Sequence, residues 1–236
     1  VTAPVTERFP GAKGKAFQRA GEQQQAFDSM DVLGDLTDQS VAYIEARARE
    51  KQPFFLYLPL NAPHTPILPA PAFQGKSGIS AYADFVMQVD WTVGRVLDAL
   101  EAHGLEDDTL VVFTSDNGCS PMADFKELAE HEHDPSYVFR GHKADIFEGG
   151  HRIPFLARWP KRIAPGSTTG EITCLTDLMA TAADIVGHQL PDNAAEDSYS
   201  MLPVLAGDAP AAPVREATVH QSINGRLSIR QGKWKL

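Results

Sequence analysis

The residues that say most about the fold are Leu110-Val-Val-Phe-Thr-Ser-Asp-Asn-Gly118. Their first part, residues 110–114, is a short and nearly continuous apolar run, which is typical of a strand covered on both faces. Their second part, Ser115 to Gly118, is polar and ends in a glycine that lets the chain turn sharply. A buried strand that ends in polar residues predicts an α/β fold that binds its ligand at the carboxyl edge of the sheet.

Two elements before this strand favour the same fold. Residues 54–58, Phe-Phe-Leu-Tyr-Leu, form another continuous apolar run, which predicts a second buried strand. Residues 81–102 carry apolar side chains at helical spacing, and Gly104 is a helix stop signal. Strand, long helix and strand make a βαβ unit, so we expect a largely parallel or mixed sheet flanked by helices.

Shorter elements surround this unit. Residues 1–34 are polar without a clear period, which indicates loop with at most one short helix. Thr37 or Asp38 can N-cap a helix that ends near Lys51. The acidic residues 122–136 are expected to form an exposed insertion. The remaining predictions are a strand at 153–159, a helix at 176–186, and tail strands at 217–221, 226–230 and 233–236.

The composition excludes several classes of protein. The chain has 236 residues with 31 acidic and 21 basic side chains, a net charge of −10. It has no basic stripe interleaved with aromatics, so we expect no nucleic-acid partner. No apolar run reaches the roughly 18 residues that a membrane-spanning helix needs. Cys119 and Cys174 permit one disulfide without requiring it, which leaves the redox compartment open.

Asp116 and Asn117 directly follow the strand at 110–114. Adjacent carboxylate and amide oxygens are hard ligands that suit Ca²⁺ or Mg²⁺ rather than zinc. The alternative interpretation is an Asx-type turn that only closes the strand.

His64 lies in Asn61-Ala-Pro-His-Thr-Pro66, after the strand predicted at 54–58. Prolines on both sides restrict the backbone, which aims a side chain in one direction. The alternative is a histidine in a rigid surface turn.

A third polar segment combines glycines with cations, in Arg140-Gly-His-Lys143 and in Glu148-Gly-Gly-His-Arg-Ile-Pro154. Glycine-rich backbone beside lysine and arginine lets a sulfate or phosphate oxyanion approach compact positive charge. The alternative is a solvated charged loop. His131 and His133 look like a metal pair, but we interpret them as a solvated face of the 122–136 insertion.

Together these segments resemble the type I sulfatases, the formylglycine-dependent, arylsulfatase-like enzymes of the alkaline phosphatase superfamily. The resemblance is specific from about residue 52 to 166 and looser beyond. The matching segments are Pro53-Phe-Phe-Leu-Tyr57, Ala62-Pro-His-Thr-Pro66, residues 110–118, Lys143, Glu148-Gly-Gly-His-Arg-Ile-Pro154, Trp159-Pro160, Thr176-Asp-Leu-Met179 and Gly232-Lys-Trp-Lys235.

The resemblance implies an alkaline phosphatase-like fold and hydrolysis of a sulfate monoester of a small molecule or carbohydrate. Asp116 and Asn117 match family ligands of Ca²⁺, with Mg²⁺ as a possible substitute. His64 matches a histidine that contacts the sulfate and helps to protonate the departing alcohol. Lys143 matches a lysine that contacts the sulfate and the leaving oxygen. The resemblance also implies a bacterial enzyme that is periplasmic or secreted.

The family nucleophile is a formylglycine made from the cysteine of Cys-x-Pro-Ser-Arg, a motif that these residues lack. Cys119-Ser-Pro121 shares its first three positions, but it follows the metal-binding segment, so we assign it no catalytic role. We expect the formylglycine and the other Ca²⁺ ligands in a missing N-terminal half, and an inactive fragment without them.

The expected organisation follows from this resemblance. Residues 1–187 would be the C-terminal part of the catalytic α/β domain, 188–214 a linker, and 215–236 the first strands of a small antiparallel subdomain. Two other functions stay open: a phosphodiester or phosphonate monoester hydrolase of the same superfamily, and an anion-binding remnant without catalysis.

Four further residues are weaker candidates for the site. His151 and Arg152 can line the sulfate edge, although Arg152 can equally form a structural ion pair. His220 and Asn224, in the tail, can reach a substrate.

Overall fold

The computed structural model describes residues 28–208 and 212–236. These residues fold into two compact units, which we describe separately. The described part of the first unit is residues 28–106 with Ser120–Pro135, and the second is Asp107–Cys119 with Ser136–Leu236. Most of the segment predicted as loop at 1–34 lies outside the described residues.

Two long helices dominate the first unit, α1 (Val32–Glu50) and α2 (Ala81–Ala102). The bounds predicted for α2 are confirmed: the Ser80 hydroxyl accepts a hydrogen bond from the Ala83 amide at 3.2 Å, and Gly104 has a φ of +63°. Phe85 and Leu100 lie on one face of the helix, and both side chains are buried. The core of this unit therefore lies along the predicted apolar stripe.

The start predicted for α1 is wrong by nearly two turns, because the cap position is Asp31 and Thr37 lies inside the helix. Its hydroxyl donates to the Leu33 carbonyl at 2.7 Å and contacts the Thr92 hydroxyl of α2 at 2.9 Å. A buried threonine whose hydroxyl is satisfied in this way is compatible with a helix interior.

The strand predicted at 54–58 does not form within the described residues, which are extended there without strand pairing. Phe55 and Tyr57 are 79% and 76% exposed, whereas Phe54 and Leu56 are half-buried. The continuous apolar run predicted cover on both faces, but here one face is exposed to solvent. A strand also needs a neighbouring backbone, and the apolar pattern of one segment does not specify that partner.

The segment predicted as an exposed insertion is only partly exposed. It contains a 3₁₀ turn, Pro121–Ala123, and a short helix, α3 (Phe125–Glu130). Leu128 is 1% exposed and Ala123 is 2% exposed, so both pack into the first unit. The many acidic residues around Ala123 and Leu128 favour the prediction of an exposed segment, although these two apolar residues are buried.

A 3₁₀ turn, Glu106–Asp108, lies where the chain passes from the first unit to the second, and β1 (Val111–Thr114) follows. β1 pairs antiparallel with β2 (Phe155–Arg158), with Val111 opposite Arg158 and Thr114 opposite Phe155. Both strands lie where the sequence predicts them. The sheets of the described residues are antiparallel, so the predicted parallel pairing is not formed there. The short helix α4 (Glu148–His151) precedes β2.

A buried ion pair organises the middle of the second unit. Asp177 opens helix α5 (Asp177–Ile185) and pairs with Arg215; their side chains are 0% and 7% exposed. Asp177 also accepts hydrogen bonds from the amides of Cys174 at 2.7 Å and Tyr199 at 3.0 Å. The segment before helix α6 (Leu202–Leu205) therefore packs on α5.

The predicted tail strands are confirmed as β3 (Thr218–Gln221), β4 (Leu227–Gln231) and β5 (Trp234–Lys235). They form an antiparallel sheet in the order β3-β4-β5. No helix in the described part of the chain is long and apolar enough to cross a membrane.

Candidate active site

The turn after β1 is closed by its own side chains. The Ser115 hydroxyl donates to the Asn117 main-chain carbonyl at 2.9 Å, and the side-chain Nδ2 of Asn117 donates to the Gly118 carbonyl at 3.0 Å. The Gly118 amide donates to Gly150, so Asp116 does not close an Asx turn through it. Among the described residues, the exposed Asp116 carboxylate and the side-chain oxygen of Asn117 have no hydrogen-bond partner. Both oxygens remain available to a ligand.

Lys143 lies in a compact turn built by Asp145. The Asp145 carboxylate accepts from the His142 amide at 3.1 Å, and the Asp145 amide donates to the His142 carbonyl at 3.0 Å. The Lys143 amide donates to the Cys119 carbonyl at 2.9 Å. The half-buried ammonium of Lys143 forms no ion pair or hydrogen bond with the part of the chain that the structure describes.

Glycines bring these two turns into backbone contact. The Gly118 amide donates to the Gly150 carbonyl at 3.0 Å, and a Cβ added to Gly118 would lie 1.7 Å from the Gly149 carbonyl oxygen. A Cβ on Gly149 would lie 2.0 Å from the Gly141 carbonyl oxygen. No side chain fits at either position. The structure thus brings together the segments that carry Asp116, Asn117 and Lys143.

His64 lies in the first unit, where its side chain is exposed. Its Nδ1 lies 2.8 Å from the Thr65 carbonyl oxygen. Because a carbonyl only accepts, this contact requires a proton on Nδ1. The ring is therefore oriented, and Nε2 has no partner among the described residues.

Glu148 is the centre of an ionic cluster that the sequence did not predict. Its carboxylate lies 2.6 Å from Arg230, 3.1 Å from Lys235 and 3.5 Å from Arg152. Burial alone would raise its pKa, but the hydrogen bonds and charges of Arg230 and Lys235 lower the pKa of Glu148 to about 2. Of the two alternatives for Arg152, the structure shows the ion pair, with Glu148.

The structure also brings together His151 and His220, whose ring centroids lie 4.7 Å apart. Burial, followed by the charge of Lys235, lowers the pKa of both rings, that of His220 to about 4. His151 Nε2 and His220 Nδ1 are buried and have no hydrogen-bond partner within the described residues. These candidates are thus inward-facing neutral imidazoles rather than exposed contacts.

The cysteines and the remaining histidines add no metal centre. Cys119 and Cys174 are thiols rather than a disulfide pair, and Cys174 Sγ lies 2.8 Å from the Thr218 hydroxyl. His131 and His133 are exposed. Across residues 28–208 and 212–236, no three His, Cys, Asp or Glu side chains are arranged to hold a metal ion.

Available hard-oxygen ligands and an unpaired lysine on adjoining turns are typical of an α/β protein that binds an oxyanion with the help of a cation. Comparison with known proteins identifies the family. The sulfatase family profile matches residues 15–188. The chain belongs to the sulfatase family.

Its relatives act on different esters, as their names say. The chain is 35% identical over 212 residues to an N-acetylgalactosamine-6-O-sulfatase of Bacteroides thetaiotaomicron, which covers 87% of the chain and 40% of the relative. It is 39% identical over 174 residues to a steryl-sulfatase of Mus musculus, covering 74% of the chain and 27% of the relative. The chain thus spans less than half the length of either relative.

Solved structures confirm the predicted α/β fold class. A Bacteroides thetaiotaomicron structure from work on the metabolism of multiple glycosaminoglycans superposes with a TM-score of 0.80 at 33% identity, covering 89% of this chain and 43% of that one. The PsFucS1 sulfatase of Pseudoalteromonas sp. gives a TM-score of 0.77 at 26% identity, with coverage of 98% and 46%.

Proposed function

We propose that this chain is part of a sulfuric ester hydrolase that cleaves sulfate monoesters of small molecules or carbohydrates. Family membership supports the reaction class. The observation that carries the proposal is the Lys143 ammonium, which has no partner in the part of the chain that the structure describes and lies on a turn whose backbone is bonded to the Asp116–Asn117 segment. A bound sulfate needs compact positive charge at such a place.

Lys143 has no carboxylate partner among the described residues. Exposed cations such as Lys51 and Lys126 also lack one, so the lack of a partner alone does not single out Lys143. What singles it out is that it is half-buried and lies on the turn bonded to the Asp116–Asn117 segment. We propose that Lys143 contacts the sulfate and stabilises negative charge on the leaving oxygen.

We propose that Asp116 and Asn117 hold Ca²⁺, with Mg²⁺ as a substitute. The donor set fits a hard cation, because it offers an available carboxylate and an amide oxygen. The Asn117 nitrogen is fixed on the Gly118 carbonyl, which leaves its oxygen as the ligand. When bound, the cation would neutralise sulfate oxygens.

The role of His64 rests on the resemblance and on its own geometry. With Nδ1 donating to Thr65, only Nε2 can exchange a proton with a ligand. We propose that the imidazolium donates this proton to the departing alcohol.

The chain has no Cys-x-Pro-Ser-Arg sequence, and we propose that a longer protein supplies the formylglycine nucleophile from a segment before it. Family resemblance supports an exported bacterial enzyme, periplasmic or secreted.

The test compares an aryl sulfate with an aryl phosphodiester as substrates of that longer protein. We expect faster turnover of the sulfate, with a loss of at least about a hundredfold in Lys143→Ala. Lys126→Ala, at an exposed lysine, is the control and should retain full activity. Preference for the phosphodiester would favour the phosphodiesterase alternative, and the absence of turnover of both substrates would favour an anion-binding remnant.

A further inference from the structure

The tail sheet β3–β5 has an unusual distribution of polarity. Val219, Leu227 and Trp234 point outward and are 63%, 67% and 69% exposed. On the other face, Arg230 lies opposite both Thr218 and Lys235, and the Arg230 and Lys235 side chains are only 20% and 15% exposed. A one-sided sheet usually covers a core with its apolar face. This sheet is attached through its polar face instead.

The group that this polar face binds is Glu148. Arg230 and Lys235 contact its two carboxylate oxygens at 2.6 Å and 3.1 Å, although Lys235 lies 87 residues away in the sequence. The Glu148 side chain is 24% exposed. The tail sheet is therefore attached to this region through an ion-pair cluster, in addition to the contact between the His151 and His220 rings.

A second contact reaches the residue beside Lys143. The Ile223 amide, in the loop after β3, donates to the Ala144 carbonyl at 3.1 Å. On the other side, the Lys143 amide donates to Cys119. These backbone bonds hold the main chain on both sides of Lys143 and so fix the point and the Cα–Cβ direction from which its side chain extends.

We infer that Glu148 is a positioning residue for Lys143: by binding Arg230 and Lys235, it holds the tail sheet against the turn at residues 140–152 and so fixes the Lys143 backbone. The effect on sulfate binding rests on the proposed function. The mechanical part of the inference, that Glu148 holds the tail sheet against residues 140–152, does not. Glu148 acts through the sheet, without contact to the sulfate.

Amide hydrogen exchange tests the mechanical part in the intact chain. In Glu148→Gln, we expect exchange at the Ile223 and Lys143 amides to rise about tenfold, because their bonds open when the sheet detaches. Amides of α1 in the other unit should not change. Glu50→Gln, which breaks the exposed Arg47–Glu50 pair, is the matched control and should leave both site amides protected.

Lys235→Gln removes one cation instead of the central anion and serves as the milder variant if Glu148→Gln does not fold. It should increase exchange at the same two amides to a smaller extent. Unchanged protection of Ile223 and Lys143 in a folded variant would overturn the inference.

The effect on sulfate binding is tested with a double-mutant cycle. Inorganic sulfate is titrated into the unmodified chain, into Glu148→Gln, into Lys143→Ala and into the double variant. Glu148→Gln should weaken binding about tenfold when Lys143 is present and have no further effect in Lys143→Ala. An equal loss in both backgrounds would mean that Glu148 acts independently of Lys143 and would overturn the inference. If Lys143→Ala alone leaves sulfate binding unchanged, the proposed function fails, and the exchange result decides the mechanical part.

Discussion

The Gly118 amide donates a hydrogen bond to the Gly150 carbonyl oxygen over 3.0 Å. This bond joins the turn that carries Asp116 and Asn117 to the glycine-rich segment after Lys143. The Lys143 amide makes a second link, to Cys119, at 2.9 Å. The candidate metal ligands precede the candidate sulfate ligand by 27 and 26 residues in the sequence. Their segments are therefore connected by main-chain bonds rather than by flexible side chains.

We expect Gly118→Ala to destabilise the second unit by about 3 kcal/mol or more. The added methyl group would lie 1.7 Å from the Gly149 carbonyl oxygen, so the two turns would have to separate. Denaturant unfolding measures the loss. Gly170→Ala is the control, because a Cβ there meets no atom within 4 Å. Equal stability of the two variants would contradict the close packing of the turns.

We expect Asp177→Asn to lower the free energy of unfolding by about 3–5 kcal/mol. The change leaves the buried Arg215 guanidinium without its counter-charge and weakens the bonds from the Cys174 and Tyr199 amides. The comparison is Asp108→Asn, which breaks a pair with Lys161 in which both side chains are more than half exposed. That pair should contribute less than about 1 kcal/mol, and a similar loss in both variants would refute the argument.

Local signals in the sequence were sufficient for much of this fold. The helix at 81–102 was predicted at both ends, because its apolar spacing and its Gly104 stop are properties of neighbouring residues. The strand predicted at 54–58 is not formed among the described residues, because strand pairing depends on a partner that the local apolar pattern does not specify. The Glu148 cluster could not be predicted for the same reason: Arg230 and Lys235 lie more than 80 residues away. The motifs predict Asp116, Asn117 and Lys143 as candidates, but only the structure shows that the Asp116 carboxylate, the side-chain oxygen of Asn117 and the Lys143 ammonium have no partner among the described residues.

Stability should fall as the pH is lowered from 6.5 towards 4, and His220 should account for part of the loss. Its pKa is about 4 in the folded chain and near 6.5 when exposed, because burial and the charge of Lys235 disfavour the imidazolium. The unfolded state thus binds the extra proton in this window, which favours unfolding. Glu148 does not contribute to the pH dependence above pH 4.5. Its pKa is lowered from 4.5 to about 2 in the folded chain, so its stabilisation is lost only as the pH falls from 4.5 towards 2.

Urea midpoints at pH 7 and pH 5 measure this effect. The decrease should be smaller in His220→Gln than in the unmodified chain. His188→Gln removes an exposed imidazole and should behave like the unmodified chain. The same decrease in all three proteins would show that His220 is not responsible.

We expect the chain to bind Ca²⁺ weakly, with a dissociation constant of about 10⁻³ M or higher, because Asp116 and Asn117 offer only two side-chain ligands. Calorimetry should show the residual binding lost in Asp116→Asn. It should be retained in Asp192→Asn, at an exposed carboxylate away from the turn. Micromolar affinity in the unmodified chain would mean that further ligands are present.

The purified chain should not hydrolyse an aryl sulfate, with or without Ca²⁺. Its residues contain no Cys-x-Pro-Ser-Arg sequence, so the formylglycine that we propose as the nucleophile cannot form within them. Cys119 is a half-buried thiol that follows the Asp116–Asn117 segment, and the residues after Cys119-Ser-Pro121 are Met122 and Ala123 instead of Ser and Arg. Release of the coloured phenol should equal the buffer background and be identical in Cys119→Ala. Turnover above background that disappears in Cys119→Ala would identify this thiol as a nucleophile, which is the opposite of the assignment made from the sequence.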